Sequence, residues 1–125
     1  LEACCFRPDN VSPALMDDLV AMGVDMGMDT FFSQQAAIIA RKDGRSALAA
    51  YQGPVTIICG ERDTVTPPEL SREMHAISAR SRLTMIPEAG HNAPIEQADA
   101  VNAALGAWLA EGTAGSDGVR AATAP

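Results

Sequence analysis

Pro54-Val55-Thr56-Ile57-Ile58-Cys59-Gly60-Glu61-Arg62-Asp63 decides how this chain is read. Val55–Cys59 is β-branched or apolar with no polar alternation, and Gly60 stops it. An unbroken run of this length predicts a strand buried on both faces, as in a parallel sheet. Thr66-Pro67-Pro68-Glu69 follows, with the spacing of a capping box and a proline at the first helical position. A helix is expected from there, with Leu70, Met74 and Ile77 on one face. After Arg80 and Arg82, Leu83-Thr84-Met85-Ile86 predicts a second strand. Pro87–Asn92 is then a loop, and Ala98, Val101, Leu105, Trp108 and Leu109 mark a last helix. Strand–helix–strand–helix implies a parallel sheet with a crossover connection.

Upstream of Gly53 the pattern is helical. Ser12-Pro13 is an N-cap with proline in the first turn. Leu15, Met16, Leu19 and Val20 share a face, and Gly23 and Gly27 interrupt it. A second helix is expected from Asp29 or Thr30, ending by Gly44, with Ser46 capping one short further turn. The end of the chain, 111–125, is small, polar and aperiodic, and reads as a disordered tail.

Composition excludes several classes. The 125 residues carry a net charge of −7, with nine scattered basic residues, which argues against nucleic acid or an anionic membrane as partner. No apolar run reaches the length of a membrane span. Three cysteines, Cys4, Cys5 and Cys59, make neither a disulfide framework nor a zinc pattern. They read as inert thiols in a reducing, cytoplasmic setting, with no metal and no organic cofactor implied. Leu1 stands where a methionine would begin a natural chain, and the chain starts without a cap or turn signal. The beginning therefore reads as a cut.

The two strands end in loops carrying Asp63 and His91, 28 residues apart. In parallel sheets ligands gather at the C-terminal strand ends, so the topology brings both to one rim. A carboxylate beside an imidazole accepts Nδ1–H, fixes the tautomer and leaves the other nitrogen as a base. Each has an ordinary reading too, Asp63 as a cap or turn residue and His91 as an exposed loop residue. Glu61 is an alternative acid, Glu96 reads as a charge at a helix N-terminus, and His75 as a solvated helix residue.

The stretch Pro54–Leu109 resembles the end of α/β-hydrolase-fold enzymes. The carriers are PVTIICGERD, the Val65-Thr66-Pro67 helix start, Gly90-His91, an acidic position after it and VNAALGAWL at Val101–Leu109. Phe31–Leu48 is similar to the segment joining the helical cap to the core in the same enzymes. The resemblance implies a partial α/β-hydrolase fold: residues 1–48 a helical cap segment, 49–110 the C-terminal part of the core. It implies Asp63 as the acid and His91 as the base of a Ser-His-Asp triad. Val65 and Asn92, beside them, are candidate substrate contacts, as are Phe31 and Phe32, which at helical spacing are also ordinary core.

The departure from the family is the nucleophile: no G-x-S-x-G elbow occurs in the chain. The expected activity is hydrolysis of carboxylic esters or related small apolar substrates, with the serine outside these 125 residues and the chain alone inactive. The alternative is a non-catalytic module, derived from the same fold, that binds a small ligand or a partner. A phosphate-binding half-Rossmann unit fits poorly, because Gly60–Asp63 offers one glycine and two carboxylates. A sheet cut short would expose an open edge, so self-association is expected.

Overall fold

A computed structural model of the chain describes residues 5–6 and 11–120, with side chains through Glu111. The element order is α1 (Pro13–Ile39), α2 (Arg45–Ala50), β1 (Val55–Gly60), α3 (Pro68–Ile77), β2 (Ser81–Ile86), α4 (Ala93–Glu96) and α5 (Ala98–Arg120). β1 and β2 pair in parallel with Val55 opposite Ser81 and Gly60 opposite Ile86. The expected strand–helix–strand–helix order is present, with β2 starting two residues earlier than its apolar run.

α1 begins as expected. Ser12 is its N-cap, with Oγ accepting from the Leu15 amide at 3.2 Å. Gly27, at φ 73 and ψ 163, breaks the helix. That conformation is open to glycine and few other residues, so Gly27 and not Gly23 is the interruption. Beyond it the helix resumes and stops at Ile39, short of Gly44. The turn leading into α2 is organised by Asp43, whose Oδ1 accepts from the Arg45 amide at 2.9 Å. Ser46 was the expected cap, but it lies inside α2. The expected border between cap segment and core, at 48–49, also falls inside α2, which packs against α3.

The core is small and lies where the strand ends meet α4 and α5. Ile86, Ala89, Ala93 and Val101 form it, with Ile58 and Ala100 against it. Ile57 and Cys59 are buried from the other side of β1, while Val55, Thr56 and Ile58 are half-buried. The strand is thus less covered than its apolar run predicts. The α3 stripe is likewise open, with Leu70 50 % and Met74 43 % exposed.

α5 corrects the reading of the chain end. It continues as helix through Arg120, so residues 111–120 are not the irregular tail expected, and 121–125 lie outside the described residues. Once a helix is nucleated, each further residue adds a hydrogen bond. No proline between Ala98 and Arg120 interrupts that propagation.

Candidate active site

Asp63 and His91 meet. His91 Nδ1 lies 3.0 Å from Asp63 Oδ2, and the carboxylate is buried while the imidazole is partly exposed. The local sequence holds the acid tightly. Asp63 Oδ1 accepts from the amides of Val65 and Thr66, both at 2.9 Å, and Oδ2 accepts from the Thr66 hydroxyl at 2.7 Å. This is the Asx-type turn that short carboxylate side chains favour. It corrects the expected capping box: the Thr66 hydroxyl is engaged with Asp63, and α3 starts from Pro67 with no side-chain cap.

The electrostatics follow from these contacts. Burial pushes the Asp63 carboxyl up, but hydrogen bonds from His91, the Thr66 amide and hydroxyl and the Val65 amide outweigh it and hold the group below its ordinary value. Asp63 is therefore an anion at neutral pH, and an anion facing Nδ1 favours the tautomer with its proton there. Thr66 Oγ1, 3.3 Å from Nδ1, completes a compact triangle.

Two loops carry the pair, and β1 and the segment after β2 lock them together. The Glu61 amide donates to the Ile86 carbonyl at 3.0 Å and the Arg62 amide to the Ala89 carbonyl at 2.9 Å. Gly60 sits beneath this crossing. A Cβ there would lie 2.2 Å from the Gly90 oxygen and 2.4 Å from the Ala89 oxygen, so only glycine lets the histidine loop rest on the strand end. The sharp left-handed turn of that loop falls on Glu88 (φ 55).

The other candidates divide. Val65 contributes its amide to Asp63 while its side chain is 50 % exposed. Asn92 Nδ2 donates to the buried Cys5 Sγ at 3.5 Å. Phe31 and Phe32 stack edge-to-face at 5.7 Å on α1, but neither lines the cavity beside the pair. That cavity, about 380 Å³, is bounded by Asp63, Thr66 and His91 on its polar side and by Ile58, Val101 and Leu105 on its apolar side. Glu61 is exposed and its side chain is not in the cluster. Glu96, read from sequence as a helix N-terminal charge, is instead buried at the C-terminal end of α4 and accepts from the Gly90 amide at 2.9 Å. His75 is not merely solvated, since its Nδ1 lies 2.8 Å from Ser81 Oγ. Cys4 lies outside the described residues. Among the described residues no group of three or more His, Cys, Asp or Glu is placed to hold a metal ion, and no helix is long and apolar enough to cross a membrane.

Residues 11–98 match the family described as the alpha/beta hydrolase fold. The chain belongs to that family. Among solved structures, a thermophilic esterase from Thermogutta terrifontis is 33% identical, with a TM-score of 0.56 over 58% of this chain and 26% of that one. An α/β hydrolase from a sediment metagenome of the Mar Chica lagoon, Morocco, is 25% identical, with a TM-score of 0.61 over 79% of this chain and 45% of that one. The chain thus spans about a quarter of the first hydrolase and less than half of the second. Curated protein sequences give no match. For this α/β-hydrolase chain the site roles missed by sequence reasoning are those of Gly60, Glu96 and Thr66, the last read only as a helix cap. Gly60 followed an apolar run and read as a strand stop. Glu96 carried one signal, a carboxylate five residues after a Gly-His pair in an apolar helix start.

Proposed function

We propose that this chain supplies the acid and the histidine of a Ser-His-Asp hydrolase acting on carboxylic esters or related small apolar substrates. The observation that carries the reading is the 3.0 Å contact of His91 Nδ1 with an Asp63 whose oxygens are held by three further donors. A carboxylate so held cannot turn away from the ring, so it orients the imidazole and stabilises its cationic form.

In the reaction His91 Nε2 takes the proton of a serine hydroxyl as the serine oxygen bonds to the ester carbonyl carbon. The tetrahedral intermediate collapses, the carbon–oxygen bond to the alcohol breaks, and the alcohol leaves with the proton from His91. Water repeats the sequence on the acyl-serine and releases the acid. The serine belongs to a part of the protein outside these 125 residues, since they contain no G-x-S-x-G. The esterase neighbour supports the ester as substrate.

The test extends the coding sequence in frame upstream of Leu1 and assays p-nitrophenyl butyrate hydrolysis. The extended chain is expected to hydrolyse the ester, and the 125-residue chain alone is not. His91→Ala and Asp63→Asn should each lower kcat/KM by about 10³–10⁴-fold. An extended chain that binds a small ligand without turning it over would replace this reading by the binding-module one.

A further inference from the structure

We infer that Glu96 is a positioning residue for His91, acting as a clamp that closes the histidine loop from both ends. The inference rests on reading Asp63 and His91 as a working acid–histidine pair. Glu96 is 7% exposed although it is a carboxylate, and burying such a group is costly unless donors meet it. They do. Its Oε1 accepts from the buried Gly90 amide at 2.9 Å and its Oε2 from the Phe6 amide at 2.7 Å.

The geometry around His91 gives those bonds their meaning. The Glu96 backbone amide donates to the Asn92 carbonyl at 3.0 Å, while its side chain reaches back to Gly90 on the other side of the histidine. One residue therefore pins both chain neighbours of His91. Gly90 is also the point where the loop rests against Gly60, its carbonyl oxygen lying where a Cβ at Gly60 would stand. Fixing the Gly90 peptide fixes the height at which His91 leaves the strand end, and that height decides whether Nδ1 meets Asp63 Oδ2. Misplacing a reacting group by about 1 Å can cost about 10²-fold in rate.

The second oxygen extends the clamp to the segment at Cys5–Phe6. Besides the Phe6 amide on Glu96, Cys5 Sγ accepts from Asn92 Nδ2, and the Arg62 guanidinium stands 5.5 Å from the Phe6 ring centroid. This short segment thus touches the neighbour of each member of the pair, Arg62 beside Asp63 and Asn92 beside His91, with Glu96 as its buried anchor.

The test needs no turnover and uses isotope-labelled 125-residue chain. NMR reads the tautomer of the His91 ring from its ring-nitrogen shifts and the exchange rate of the Gly90 amide. His75, the other of the two histidines, is the internal reference. The wild type is expected to hold one His91 tautomer, protonated at Nδ1, with a protected Gly90 amide. Glu96→Ala should speed Gly90 exchange by about tenfold or more and return His91 to the tautomer mixture of a free imidazole, leaving His75 unchanged. Glu96→Gln keeps one oxygen for Gly90 and should restore both signals. An unchanged His91 tautomer in folded Glu96→Ala overturns the clamp. If that variant does not fold, the wild type and Glu96→Gln decide: an unprotected Gly90 amide in either overturns it, and protection in both supports it. A wild type that already shows the free-imidazole mixture while Gly90 is protected sinks the acid–histidine reading, and the positioning role with it.

Discussion

Asp63 sets a pH dependence whose sign follows from its contacts. Its carboxyl is held below its ordinary value of 3.8 in the folded chain, so the fold binds fewer protons than the unfolded chain. The resulting stability is fully present above about pH 4–5 and is lost as pH falls through the lowered folded value. Urea midpoints should fall on acidification below pH 4, and Asp63→Asn should flatten that part of the profile. A wild-type profile as flat as that of the variant would refute the assignment. Gly60 makes a steric prediction. The atoms a Cβ would meet are backbone oxygens, which cannot rotate away, so Gly60→Ala should destabilise by about 1–3 kcal/mol. A denaturation curve matching the wild type would show that the histidine loop does not rest on the strand end. Neither role is visible in residue type alone. Aspartate before a helix and glycine after a strand are ordinary occupants of those positions, and their function depends on what a distant loop brings against them.

At the scale of elements, local chemistry carried most of the reading. Ser12-Pro13 starts α1, the β-branched run makes β1, and proline opens α3. The misreadings of Thr66 and Glu96 share one cause, which is competition for polar side chains. Thr66 had the spacing of a capping box, but a buried carboxylate three residues earlier offers its hydroxyl a charged acceptor, and bonds to charged groups are the stronger ones. Glu96 was drawn in the same way toward a buried amide. Gly27 makes the prediction at this scale. Its φ of 73 and ψ of 163 suit glycine, and space is open around it. An alanine would meet backbone strain but no neighbour, and it gains about 1 kcal/mol of helix propensity. Gly27→Ala should therefore straighten α1 into one continuous helix, seen as helical backbone chemical shifts across residues 25–29. Persisting non-helical shifts there would mean that tertiary contacts, not glycine, set the kink.

The molecule as a whole is under-covered for its apolar content. Met22, Val24, Met28, Phe32 and Ile39 on α1 are each more than half exposed, as is Leu109 on α5, and Leu70 on α3 is half exposed. Among the described residues the sheet has two strands and an unpaired edge on each side, and such edges and faces associate in water. Sedimentation velocity of the 13.0 kDa chain should resolve dimers or larger species. A single monomer peak across concentrations would contradict this expectation.

By itself, the sequence determined the order of strand and helix, the parallel sheet and the placement of Asp63 and His91 after successive strand ends. Those features come from short-range patterns: runs of β-branched residues, helical spacing and proline or glycine at fixed offsets. Tertiary structure decided which polar side chains serve as ligands of others. It turned Thr66 from a helix cap into a donor to Asp63, made Gly60 the floor of the histidine loop and buried Glu96 beneath Gly90. The physical reason is range. A cap or a strand is set by neighbours a few residues away, whereas the partner of a buried polar group is chosen by which chain segments the fold excludes from water together.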